Sequence, residues 1–177
     1  MKHITGLSKL FIVAALFAAS CDDNDNDNNT NTVLNDADKN FMTQAAYANY
    51  NEIDFAQMAL TKATADTVKK FAQMMIDEHT MAMHGLDSVA NQFTYTLPTT
   101  IDSLHAAMKT DLMAKSGHSF DTAYINSQVN DHQVAINLFQ NESTQGNNVS
   151  VKNYATQTLP HLQTHLAVAD SIQNFLE

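Results

Sequence analysis

From residue 36 to the C-terminus, apolar side chains return every three or four positions, in runs too long to be strands. That period forces long amphipathic helices and leaves the chain few places to turn. The first run, about 36 to 61, carries Phe41, Ala45, Ala48, Phe55 and Ala59 on one stripe, with Asn35 or Asp36 able to cap it. The second, about 65 to 93, is striped by Val68, Ala72, Met75, Leu86, Ala90 and Phe93, with Thr64 or Asp66 at its start. Only four glycines and two prolines interrupt the chain, which suits helices better than strands.

Leu97-Pro98-Thr99-Thr100 breaks the pattern. A shorter run, about 100 to 115, follows with Ile101, Leu104, Met108 and Leu112, and stops at Ser116-Gly117. Ser119 can cap a fourth helix, about 120 to 143, that turns Tyr124, Ile125, Val129, Ile136 and Phe139 inward. Gln145-Gly146-Asn147-Asn148 is a turn. The last run, about 149 to 176, carries Val151, Ala155, Leu162, Ala169, Ile172 and Leu176, with Pro160 marking a kink or a fresh start. Two hairpins of long helices joined by one long connection make an all-α fold. The expectation is a ferritin-like four-helix bundle with an extra short helix in the crossover between helices two and four.

The N-terminal region has a different grammar. Lys2 and Lys9 give a positive end before an apolar run, Leu10 to Phe17, that is too short to span a membrane, and Ala18-Ala19-Ser20 then precede Cys21. A lone cysteine makes no internal disulfide. Its setting resembles the lipobox of bacterial lipoproteins, in which the cysteine is acylated and becomes the first residue; Ala18 replaces the usual leucine. Residues 22 to 30 are only Asp, Asn and Thr, so they stay solvated as a tether reaching roughly 20 Å. They lack the central glycine and closing glutamate of an EF-hand loop. Such an acidic run resembles the surface-export signals of Bacteroidetes lipoproteins. The expected organisation is a signal peptide over 1–20, a lipid-bearing tether over 21–35 and a bundle over 36–177. The expected location is the cell envelope, lipid-anchored at the outer membrane and exposed at the surface.

The formal charge is −10, and loss of Lys2 and Lys9 with the leader takes it to −12. No arginine occurs, so bidentate phosphate capture is unavailable and nucleic acid is not an expected partner. No nucleophile elbow, phosphate loop or HExxH motif is present either.

Polar residues interrupt the apolar stripes once per long helix. Glu52, His79, His132 and His165 each lie near the middle of theirs. Counted from the hairpin turns, partners within each hairpin differ in height by about 8 Å at helical rise, so all four can share one layer. Glu78 beside His79, Gln128 one turn before His132 and His161 one turn before His165 are placed to join them. A buried carboxylate needs a hydrogen-bonded, charged or metal partner. Three imidazoles with Glu52 suit a single zinc or copper ion. A di-iron centre needs two Glu-x-x-His motifs and more carboxylates than this chain supplies. The alternative is a polar network that only sets helix register. The Met74-Met75 and Met81-x-Met83-His84 cluster invites a copper reading, because thioethers suit Cu(I). Methionine at helical spacing is more often core filler, with Met81 and His84 facing the short helix or solvent.

A family resemblance rests on an ordered set of short motifs. These are Phe41-x3-Ala45-Ala46, Glu52-Ile53, Val68-Lys69-x-Phe71-Ala72 and Glu78-His79-Thr80, then Phe120-Asp121-x-x-Tyr124, Asp131-His132, Leu159-Pro160 and His165-Leu166. Over about residues 36 to 172 the chain resembles the bacterial family called domain of unknown function 4142, a ferritin-like helical domain of exported proteins. The resemblance implies a helical bundle, an envelope location and characteristic positions at Glu52, His79, His132 and His165. Glu78 stands where that family more often has aspartate, and His161 at a position it does not reserve for histidine. The family has no established activity.

Overall fold

The computed structural model describes residues 33–177. They form five α-helices: α1 (Asp36–Lys62), α2 (Asp66–Gln92), α3 (Ser103–Met113), α4 (Gly117–Gln145) and α5 (Val149–Leu176). The expected signal peptide, Cys21 and the tether through residue 32 lie outside the described residues. Leu34, read from the sequence as tether, is buried in the core, and Asn35 caps α1 through a capping box with Asp38. Among the described residues no helix is long and apolar enough to cross a membrane.

α1 packs on α2 and α4 on α5, and the two hairpins meet along α1–α4 and α2–α5. Two carboxylates fix the directions. Asp38, at the start of α1, accepts the backbone N–H groups of Asn147 and Asn148 in the α4–α5 turn, at 3.0 and 3.2 Å. Asp121, at the start of α4, reaches the α1–α2 turn at the opposite end, where it accepts from the N–H of Thr64 and of Ala65 at 3.0 and 2.9 Å. All four neighbouring pairs are therefore antiparallel, and the segment between α2 and α4, with α3 in it, must run the length of the assembly.

Several helix ends differ from the sequence reading, each for a local reason. The N-cap of α2 is Ala65, which has no side-chain acceptor to offer. Asp121 instead fixes the two residues that lead into α2, and its Oδ2 also accepts the Thr64 hydroxyl at 2.6 Å. α3 starts at Ser103 because Asp102 turns back to accept the His105 N–H at 3.0 Å. Of its expected stripe, Leu104 faces solvent, while Leu112 is buried. α4 begins at Gly117, which takes a left-handed φ of 58°, rather than after Ser119. α5 is one helix with Pro160 inside it. α2 ends in a Schellman turn, with Tyr95 N–H bonded to the Ala90 carbonyl and Thr94 N–H to that of Asn91. Thr94 holds the left-handed position of that turn at φ 53°.

The core is divided in two. One cluster, around Phe41, Leu86, Phe139 and Tyr154, fills the end near the α4–α5 turn. The other, around Phe55, Phe71, Phe120 and Tyr124, fills the end near the α1–α2 turn. Between them lies a layer of buried polar side chains that includes Asn49, Glu52, His79, Gln128, His132 and His165.

Candidate metal centre

Three helices bring one imidazole each to that layer: His79 from α2, His132 from α4 and His165 from α5, exposed by 4, 1 and 2 %. Their ring centroids lie 5.2 to 5.7 Å apart. One nitrogen from each can be chosen so that all three lie within 4.8 Å of one another.

The outer hydrogen bonds decide which nitrogens these are. His79 Nδ1 lies 2.9 Å from the side-chain oxygen of Asn49, which only accepts, so Nδ1 carries the proton and Nε2 keeps its lone pair. Asn49 is held in turn, its amide donating to the Tyr154 hydroxyl at 3.3 Å. His132 Nδ1 donates to the backbone carbonyl of Gln128 at 2.8 Å, which again frees Nε2. His165 Nε2 donates to Glu78 Oε2 at 2.9 Å, which frees Nδ1. Each ring thus has its proton tied outward and a lone pair left over, the arrangement found around metal-ligating imidazoles.

The inward nitrogens lack partners that suit them. His79 Nε2 is buried with no hydrogen bond. His132 Nε2 and His165 Nδ1 face each other at 3.2 Å, and in these tautomers neither has a proton to share. Such a contact is repulsive unless a cation, metal or proton, stands near both. Burial keeps the rings neutral: the pKa of His79 is well below 6.5, pushed down by burial and then by His132 and His165. Burial and the neighbouring His165 push His132 down to about 4. His165 is also lowered by burial, against the opposing pull of Glu78.

Glu52 stands apart from the trio. Its Oε1 lies 3.7 Å from His132 Nδ1, the nitrogen already bonded to Gln128, and its Oε2 is buried without a partner. Burial, reinforced by Asp131, raises its pKa to about 8, so it carries a proton at neutral pH. Glu78 lies outside the trio as well, behind His165. Burial works to raise its pKa, but the hydrogen bonds from His165 and His161 outweigh burial and hold it below 4.5. His161 is exposed and reaches the layer only through Glu78, to which its Nδ1 donates at 3.1 Å. Of the methionines, Met75 and Met83 are buried in the core, and Met81 is exposed.

Two groups escaped the sequence reading. Asn49 lies three residues before Glu52 on the same face of α1, so a polar residue on an apolar stripe was its available signal. His105 of α3 donates to Asp102 at 2.7 Å and lies 3.6 Å from Asp131. Burial lowers its pKa, but these two carboxylates prevail and raise it. Nothing in the periodicity of a short helix marks it.

Residues 24–172 match the family described as Domain of unknown function (DUF4142). This chain belongs to the DUF4142 family. No curated protein matches its sequence. Among solved structures this DUF4142 chain is similar to CopM in the Cu(II)-bound form, at 19 % identity and a TM-score of 0.67, covering 79 % of this chain and 97 % of that one. It is also similar to CopM in the Cu(I)-bound form, at 21 % identity and a TM-score of 0.65, over 78 and 96 % of the two chains. A DUF305 fragment from Deinococcus radiodurans is 13 % identical with a TM-score of 0.70, over 80 and 97 %. These likenesses give the DUF4142 chain a shared all-helical fold.

Proposed function

We propose that this DUF4142 protein holds one transition-metal ion, copper foremost, between His79, His132 and His165, and serves as a lipid-anchored sequestering protein of the cell envelope. The observation that carries the reading is the pair of lone pairs, His132 Nε2 and His165 Nδ1, facing each other at 3.2 Å. The orphaned His79 Nε2 beside them completes a trigonal donor set. Neutral imidazoles suit zinc and copper among the common ions. Copper is preferred because a protein of this fold, CopM, has been solved with Cu(I), Cu(II) and silver bound. Asn49, Glu78 and the Gln128 carbonyl would orient the rings, and protonated Glu52 would add no charge to the site.

The finer description of the fold, a ferritin-like bundle with α3 in the crossover, is supported by the antiparallel ring and its single full-length connection. The anchor reading rests on the layout of residues 1–21 and on Cys21.

Elemental analysis tests the centre. The chain without its leader and Cys21, residues 22 to 177, purified without chelator, is expected to carry near-stoichiometric metal. His79→Ala, His132→Ala and His165→Ala should each lose it, whereas Glu52→Gln should keep it. A metal-free protein that takes up neither added copper nor zinc would sink the reading. One observation favours the alternative, a polar network without metal: an imidazolium at His165 could donate both to Glu78 and to His132 at the distances seen. That outcome would make the layer a device for helix register.

A further inference from the structure

A groove of about 250 Å³ opens between α2 and α5, directly above the trio. His79 and His165 line it from within, and Glu78, Met81 and His161 line it as well. One carboxylate oxygen, Glu78 Oε2, accepts from two imidazoles: from His165 Nε2 at 2.9 Å and from His161 Nδ1 at 3.1 Å. The first ring is 2 % exposed and the second 65 %. Glu78 therefore fixes two histidines in defined tautomers, one dry and one wet. His161 is left with a free Nε2 for the same reason that His165 is left with a free Nδ1.

Met81 lies one helical turn beyond Glu78 on α2, so it is the neighbour of that carboxylate, and it lines the same groove as His161. Its position is unusual for this helix. Met75 and Met83 are buried, one in each core cluster, while Met81 is 64 % exposed. Core packing does not account for a long apolar side chain held in solvent beside a hydrogen-bonded carboxylate and imidazole. A thioether is a soft donor, suited to Cu(I) and poorly suited to magnesium or calcium.

We infer that the mouth of this groove is a second metal site, taking a soft monovalent ion such as Cu(I) or Ag(I) between the Met81 sulfur and His161 Nε2, with Glu78 as the orienting group. With two protein donors and solvent around it, the mouth binds weakly and exchanges fast, whereas the buried trio binds tightly and exchanges slowly. Because Glu78 touches both imidazoles, the mouth lies on the direct route to the centre, and it serves as the loading station. That delivery role rests on the reading of the trio as a metal centre; the mouth site itself does not.

Ag(I) is a redox-inert probe for the test, added to chain carrying 13C-methyl methionine. In the wild type and in His132→Ala, the Met81 methyl signal should shift on titration, while that of buried Met83 should not. The shift should vanish in His161→Asn. Met81→Leu/His161→Asn should retain one tight equivalent but load from a Cu(I)–chelator complex at least ten-fold more slowly. A Met81 methyl that stays fixed through two equivalents of Ag(I) overturns the mouth site, whether or not the trio binds. A shift without any tight equivalent supports the mouth and overturns the centre. An unchanged loading rate in the double variant overturns the delivery role.

Discussion

At the scale of single residues, the layer is governed by what burial does to acids and bases of opposite sign. His79, His132 and His165 have folded pKa values depressed below 6.5. Their stabilising contribution is therefore full above that value and is lost as the pH falls toward the folded values, about 4 for His132. Glu52 has the opposite sign. Its folded pKa is raised from 4.5 to about 8, so its contribution is full below 4.5 and is lost as the pH rises through 8. In metal-free protein these slopes meet in a stability maximum near pH 6.5, with each fully shifted group contributing at most about 1.4 kcal/mol per pH unit. Urea midpoints measured from pH 4 to 9 should trace that maximum. Glu52→Gln should flatten the alkaline limb and His132→Gln the acid one. A limb that keeps its slope in the matching variant would contradict the assignment.

At the scale of helices, the ends carry as much of the architecture as the faces. α2 has no side-chain cap of its own, and Asp121 of α4 holds the turn that leads into it, accepting the backbone N–H groups of Thr64 and Ala65 as well as the Thr64 hydroxyl. A carboxylate at a helix N-terminus also meets the positive end of the helix dipole. Asp38 does the same work at the other end, tying α1 to the α4–α5 turn. Asp121→Ala should cost about 2–3 kcal/mol, the range for losing charge-assisted hydrogen bonds at a buried site. Asp121→Asn should cost less, because its amide oxygen still accepts. Urea unfolding measures both, and a loss below about 0.5 kcal/mol in the alanine variant would mean that the clamp is ornamental.

The whole molecule joins a folded body to an expected membrane anchor. Asn35 caps α1 and Leu34 is buried, so no more than a dozen residues separate the packed domain from Cys21. If those residues form the tether expected from their composition, they reach roughly 20 Å, which would hold the histidine layer close to the membrane surface. If Cys21 is the anchor, cells grown with labelled fatty acid should label the wild-type chain, and Cys21→Ser should be unlabelled and released from membranes. Equal labelling of the two would remove the anchor from the account.

The sequence by itself determined the five helices to within a few residues, their order in two hairpins, and the mid-helix positions of three histidines that meet. Those features follow from a local period of 3.6 residues and a fixed rise per residue, which add up along the chain without knowledge of any partner. Only the tertiary structure decided the chemistry of the layer. For two of the three imidazoles, which nitrogen is free depends on an acceptor from another element: Asn49 lies 30 residues from His79, and Glu78 lies 87 from His165. The same holds for Glu52, whose period placed it on the core face but whose carboxylate lies nearest the bonded Nδ1 of His132 rather than among the free nitrogens. Asp121 lies near the start of α4, yet its hydrogen bonds go to the turn between α1 and α2. Periodicity reports the direction in which a Cβ points; proton positions and caps are set by the partners that packing delivers.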